Sequence, residues 1–346
     1  MSIREDSGVP FEICHEQQHL RLLELPPALL EQIAFNHLSN LTLKSIVPSS
    51  SSQTPANAVL CTDNQTYQVR QVHSSNSVYV LKPCETSLGY DSMPTEGLSA
   101  IAQCTTTLEL IPAPSSATIF LKQTLPVYSG LESCTQSSTA STPLGKRNKR
   151  AVFEDAPFSL GEFEKACEDL CVFEVDGQAW LPTVSALANL WKSTMSGAKM
   201  RDVNLGESFS IATLCGIVEE DGHPIALLKA MIDRLSSNNS DLVDDDIALS
   251  KEKAVRWVGL VLLQSYPPSA EGILLSEFLE NWQNQVQEDW RAHASLDALK
   301  GNYSQPGNGR IIFDESEGSA IISSIPAGSG GNNARKWHER FKNARR

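Results

Sequence analysis

A short stretch near the front of the chain alternates between polar and apolar positions. In AVLCTDNQTYQVRQVHSSNSVYVL (58–81), residues 58–61 form an apolar run and 62–65 have the chemistry of a turn. In 66–70, Tyr67 and Val69 fall on one side while Gln68 and Arg70 fall on the other. The polar 73–77 reads as a second turn and the apolar 78–81 as a third strand. Period-2 alternation bounded by Asn, Asp and Ser predicts an antiparallel meander. Strands this short do not bury both faces by themselves, so they require further strands from this chain or from another.

The same patterning extends on either side. Residues 19–25 (HLRLLEL) read as a strand, and Pro26-Pro27 opens a helix over 28–35 with Leu29, Leu30 and Ile33 on one face. Residues 41–47 read as a strand and 48–55 (PSSSSQTP) as a loop. Residues 82–97 are irregular, 101–111 (IAQCTTTLELI) are rich in β-branched side chains and read as a strand, and 117–125 fit either a strand or a helix. About six strands and one helix make half a sandwich or an incomplete barrel, with edges that have to be covered.

Residues 129–142 (SGLESCTQSSTAST) are polar and low in complexity, and the basic GKRNKR (145–150) follows. Beyond Ala151 the period becomes helical. A short piece at 152–155 leads to Ser159, which caps 160–170 with Glu162 at the third position, a capping box. Asp176-Gly177 between 171–174 and 179–181 predicts a tight hairpin. Short helix, longer helix and hairpin is the order of a winged helix, closed by amphipathic helices at 183–193 and 224–235. The pattern recurs at 251–264 (capped by Ser250), 274–286 with Leu275, Phe278, Leu279 and Trp282 on one face, and 290–299. A possible strand begins at Tyr303, Gly307-Asn308-Gly309 turns the chain, and a strand at 311–313 with its partner at 320–325 completes a second winged helix, a helix-turn-helix variant. The tail ARKWHERFKNARR (334–346) follows a Gly-rich linker at 326–333.

Composition narrows the functions open to such a chain. Its net charge of −13 over 346 residues excludes a protein that coats nucleic acid across its whole surface, so any such contact is local and weak. The N-terminus has no apolar signal region and no window approaches the ~18 apolar residues of a membrane span. Eight scattered cysteines, mostly in apolar runs, fit a reducing compartment, cytosol or nucleus. There is no phosphate loop and no nucleophile elbow. His15, His19 and Cys14 lack the cluster a metal site needs, and Cys167 and Cys171 read as core. The expectation is therefore no enzyme, no cofactor and no metal.

What remains is binding. The third helix and wing of the second winged helix offer Arg291, His293, Lys300 and Arg310 to DNA, against Glu288, Asp289, Asp297, Asp314 and Glu315. The tail is more basic, with Arg335, Lys336, Arg340, Lys342, Arg345 and Arg346 against Glu339, and Trp337 and Phe341 available to dock on a protein or stack on bases. Lys146, Arg147, Lys149 and Arg150 form a basic cluster of the nuclear-import kind.

Two stretches carry a family resemblance. LLELPPALLEQI (22–33) followed by 58–81, and LSEFLENWQNQV (275–286) with SLDALKG (295–301) and RIIFD (310–314), resemble the Dcc sister-chromatid cohesion proteins of the alternative replication factor C complex. The resemblance implies a non-catalytic subunit of a nuclear clamp loader. Its β domain would be an incomplete barrel completed by the C-terminal end of the large ATPase subunit and by a small third subunit. Leu22, Leu23, Val59, Leu60, Tyr67, Val69, Val78 and Val80 are then the expected interface. The winged helices would reach DNA and DNA polymerase epsilon, and the complex would act on the PCNA ring at replication forks. The family commonly carries a third winged helix where this chain ends at Arg346, so contacts of that domain are not carried over. The expected class is α+β: an N-terminal antiparallel β domain followed by tandem winged-helix domains. The expected segments are 1–128 for subunit assembly, 129–150 as a linker with its basic cluster, winged helices at 151–240 and 241–326, and a basic tail at 327–346. The competing readings are a free-standing winged-helix DNA-binding regulator and a winged-helix scaffold of another nuclear complex.

Overall fold

The structure is a computed structural model that describes residues 9, 11–35, 40–45, 58–86, 95–113, 116–130, 146–237, 247–267 and 272–314. It is mixed α+β, with several sheets and no closed barrel among the described residues. The chain divides into two compact units, Met1–Pro126 with Ala140–Leu181 and Val127–Thr139 with Pro182–Arg346.

The first unit is built on a six-stranded sheet. In chain order its strands are β1 (Phe11–Ile13), β2 (Leu22–Glu24), β3 (Thr42–Ser45), β4 (Ala58–Cys61), β5 (Thr66–Thr86) and β6 (Thr95–Pro112). The spatial order is β1-β6-β5-β4-β3, with β2 also on the outer edge of β6. β1 and β2 run parallel to β6, at Phe11↔Leu98 and Leu22↔Thr107, and the remaining pairs are antiparallel. Residues 62–65 turn as expected: Thr62 N–H donates to the Gln65 carbonyl at 2.9 Å, and Gln65 N–H donates back to the Thr62 hydroxyl at 3.0 Å.

The expected turn at 73–77 does not reverse the chain. β5 runs through it to Thr86 as one strand of 21 residues beside an 18-residue β6. Pairing lapses after His73↔Thr106 and resumes at Val78↔Cys104, so residues 74–77 bulge opposite Thr105. Ser and Asn are turn formers locally, but a long antiparallel partner supplies ladder bonds on both sides of them, and the conflict resolves as a bulge. The three-strand meander is thus a hairpin, β4–β5, followed by a long ribbon.

Helix α1 (Pro27–Ala34) places Leu29 fully buried on Leu60, Tyr67 and Leu110, with Leu25 and Val69 around them. Burying one leucine is worth about 2 kcal/mol, and this core is small. The other face of the sheet meets a helical block. Residues 117–125, ambiguous in sequence, form α2 (Ala117–Thr124), with the Ser116 hydroxyl accepting from Thr118 N–H. α3 (Lys149–Asp155), α4 (Leu160–Asp169) and a hairpin of β8 (Phe173–Val175) and β9 (Gln178–Pro182) follow; β7 (Val127–Tyr128) precedes them. Leu121, Val152, Phe158, Phe163, Leu170 and Val172 form their shared core. The hairpin turns where Asp176 (φ 52°) and Gly177 (φ 75°) both take left-handed backbone, as an Asp-Gly turn of the primed type requires.

In the second unit, helices α5 (Val184–Met200), α6 (Ala212–Glu220) and α7 (Ile225–Leu235) precede α8 (Lys251–Ser265), capped by Ser250. Sequence periodicity missed α6, a nine-residue helix that starts without a side-chain cap. α8 is buried from Ala254 to Leu263 except at Arg256. Gly259 lets it approach α9 (Leu275–Asn284): a Cβ there would lie 2.6 Å from the Trp282 ring. Trp282 Nε1–H donates to the Val255 carbonyl at 2.9 Å, and Trp191 Nε1–H to the Gln285 carbonyl at 2.7 Å.

The expected α-helix over 290–299 is instead two 3-10 segments, Glu288–His293 and Leu296–Leu299. Trp290, Ala294 and Leu299 are all buried. Nine residues at about 100° each would put Trp290 and Leu299 on opposite sides of one α-helix, whereas the two 3-10 segments bury both. A sheet of order β10-β12-β11 closes the unit, from β10 (Ile273–Leu274), β11 (Tyr303–Gly307) and β12 (Arg310–Phe313). The partner of 311–313 is therefore 303–307; the strand expected at 320–325 and the tail lie outside the described residues.

Candidate subunit-assembly surface

The sheet of the first unit is fixed to its helical block by a polar joint on the face of Lys44, Val59 and Thr66. The Lys44 ammonium donates to the carbonyls of Ala156 and Phe158 at 3.0 Å each and of Phe153 at 3.4 Å, and lies 3.7 Å from the centre of the Phe153 ring. Burial lowers its pKa. Burial likewise raises the thiol of Cys61 beside it and, with the Glu162 carboxylate, the Tyr67 phenol. At the start of α4 the capping box takes in a third residue from the sheet. Ser159 Oγ accepts from Glu162 N–H at 3.3 Å, and Ser159 N–H donates to Thr66 Oγ1 at 2.7 Å. The Glu162 carboxylate accepts from the hydroxyls of both Ser159 and Thr66. Gly161 N–H donates to the Asp63 carbonyl at 2.8 Å, and a Cβ on Gly161 would lie 2.6 Å from Asn64 Oδ1. This face is closed by the chain itself.

The perimeter of the sheet is not. β4 pairs only with Thr66–Gln68 of β5. From Val69 to Thr86 no strand among the described residues lies on the outer edge of β5. Val78, Tyr79 and Leu81 on this stretch are exposed. So are Phe11, Ile13, Leu20, Leu23, Leu30, Phe35, Leu41 and Leu43 in the shorter elements around the sheet. Among the described residues, the exposed large hydrophobic side chains that lie elsewhere are Ile119, Leu160, Met200 and Leu274. A long open edge flanked by apolar side chains is a template for strand addition. Lys82 and Pro83, a charge and a residue with no backbone donor, blunt it towards the far end.

The expected interface residues divide by exposure. Val59, Leu60 and Tyr67 are buried within the unit. Leu22, Val69 and Val80 are half-buried, and Leu23 and Val78 are exposed, 45% and 49%. Alternation alone identified the apolar positions; which of them the chain's own helices cover depends on α1 and α4, which the pattern of the strands does not reveal.

The expected DNA-facing side chains are less uniform than their charges. Arg291 is exposed. Lys300 is exposed and ion-paired to Asp297 at 2.8 Å. Arg310 is half-buried and donates to the Gly272 carbonyl at 2.7 Å, joining β12 to the start of β10. Arg335, Lys336, Arg340 and Lys342 lie outside the described residues. The basic cluster at 146–150 is folded: Lys149 and Arg150 open α3, Arg147 is ion-paired to Asp155, and Lys146 is exposed. No helix among the described residues is long and apolar enough to cross a membrane.

No individual curated protein matches the chain. The sequence model of the family described as sister chromatid cohesion protein Dcc1 matches residues 20–321, which span both compact units. This is a family of cohesion accessory proteins, not of known enzymes, and it acts as a subunit of a cohesion complex. The chain belongs to the sister chromatid cohesion protein Dcc1 family, and that membership implies a role in sister chromatid cohesion.

Proposed function

We propose that this chain is a non-catalytic accessory subunit of an alternative replication factor C clamp loader, one that loads or unloads PCNA at replication forks in the nucleus. In this reading the first unit is the anchor. The C-terminal end of the large ATPase subunit and a small third subunit supply strands to its open perimeter. The observation that carries the reading is the outer edge of β5, which has no neighbouring strand among the described residues between Val69 and Leu81 and carries exposed Val78, Tyr79 and Leu81. Main-chain bonds along such an edge give affinity, and pockets for alternate side chains give register. The second unit links the loader to DNA and polymerase epsilon. Its order of helix, strand, helix, two helical turns and two-stranded wing from α8 to β12 supports a winged helix there. Arg291 is its most available cation for a phosphate among the four positions singled out for DNA in this unit; a contact this sparse is weak and salt-sensitive.

Co-expression of the full chain with the two candidate subunits, followed by sizing, tests the reading. Val78→Asp is the informative variant, because Val78 is 49% exposed and a charge there is expected to stay in contact with water. The expected result is a stable heterotrimer with the unaltered chain and loss of co-elution with Val78→Asp. Equal co-elution of both chains, or no complex with either, would reject the assignment.

A further inference from the structure

The basic run at 146–150 has the composition of an import address but not the accessibility of one. A receptor that reads lysines and arginines along a peptide takes the chain extended, with its backbone free. Here the run is already held, and the holder is the β8–β9 hairpin. Arg147 N–H donates to Gln178 Oε1 at 3.0 Å, and the Arg147 carbonyl accepts from Ala179 N–H at 2.8 Å. The Arg147 guanidinium donates to the Ala151 carbonyl at 2.9 Å and pairs with Asp155. Lys149 N–H donates to the Glu174 carboxylate. Asn148 caps α3, accepting from Ala151 N–H at 2.8 Å. Val152, one turn on, is buried in the helical core, and Phe153 packs on Phe163 with ring centres 5.2 Å apart.

The local sequence does not favour this arrangement by itself. α3 has seven residues, too few to stand alone in water, and opens with Lys149 and Arg150 at the end where the helix dipole disfavours cations. Its first turn contains no acidic residue; the compensating carboxylate, Glu174, comes from the hairpin. The helix therefore exists because it is docked. We infer that residues 146–150 are a conditional address: the hairpin holds the basic run while α3 is docked, and the run becomes readable by a basic-peptide import receptor only when α3 is released.

The test compares binding of an immobilised import receptor of that class to the full chain and to a synthetic peptide spanning 144–152. Two full-length variants release α3 by different routes: Val152→Asp removes its core anchor, and Glu174→Ala with Gln178→Ala removes the hairpin acceptors. Amide exchange at Val152 and Ala156 reports whether α3 is docked in each. The expected result is a peptide that binds, a full chain at least tenfold weaker, and released variants within about threefold of the peptide. Adding Lys149→Ala and Arg150→Ala then abolishes that gain. A full chain that binds as tightly as the peptide while both amides stay protected overturns the inference. So does a peptide that fails to bind, or a variant with α3 open by exchange that gains nothing.

Discussion

Replacing Lys44 by methionine keeps the apolar stem, one atom shorter, and removes the charge from the joint between the sheet and α3–α4. Three carbonyls lose a cationic donor, two of them at 3.0 Å, and the Phe153 ring loses a cation 3.7 Å from its centre. A hydrogen bond to a charged group contributes about 1.5–3 kcal/mol, and a carbonyl left unpaired away from water costs about 1–3 kcal/mol. Against this stands the desolvation of the ammonium, visible in the lowered pKa of Lys44, which the methionine no longer suffers. Water reaching part of the joint offsets more, leaving a net loss of about 2–4 kcal/mol. The assay is amide exchange of peptides covering 149–170, because five of the six tryptophans lie beyond residue 182 and dominate the fluorescence. The predicted loss corresponds to protection falling by roughly thirtyfold to several hundredfold there, with the helices of 184–235 unaffected. Protection unchanged to within about 0.5 kcal/mol would show that the ammonium is solvated in place and that the three carbonyls do not depend on it.

Four further outcomes follow from separate parts of the molecule. Gly259→Ala drives a methyl to 2.6 Å from the Trp282 ring and 3.1 Å from Leu299, and should cost about 1–3 kcal/mol or more in urea unfolding followed by tryptophan fluorescence. Burial raises the Cys167 thiol from 9.0 to about 11, so the unfolded chain ionises first. Its contribution is full below pH 9 and is lost as pH rises to 11, by about 2–3 kcal/mol, a loss that a Cys167→Ala chain should not share when both are unfolded across that range. Arg291→Glu should weaken DNA binding several-fold and shrink its salt slope by about one without changing stability. Arg310→Ala, which breaks the bond to Gly272 O, should instead lower stability by about 1–3 kcal/mol in the same unfolding assay.

The sequence revealed those elements whose signals are local. Ser159, Ser250 and the Asp176-Gly177 turn sit where their chemistry placed them, because caps and tight turns are decided within four residues. Strand β4 runs over 58–61 as its apolar run indicated. What escaped was decided by partners far along the chain. His73–Ser77 turns on paper and bulges in the fold because β6 lies alongside, and the run 290–299 forms two 3-10 segments that bury both Trp290 and Leu299. GKRNKR looked like a free linker because Glu174 and Gln178, which hold it, are 25 and 31 residues from Lys149 and Arg147. For the assembly surface, alternation marked Val59, Tyr67 and Val78 alike; only the packing of α1 and α4 separates the two that the chain buries from the one it leaves exposed.

The most direct measurement of strand completion is amide exchange along β5, taken on the free full chain and again in complex with the two candidate subunits. If partner strands add to this edge, alternate amides between Val69 and Leu81 exchange readily in the free chain and slow by a hundredfold or more in the complex, while amides already bonded to β6 change little. If the edge amides are equally protected in both states, or slow only on α1 and β3, the strand-completion account is contradicted at its central point.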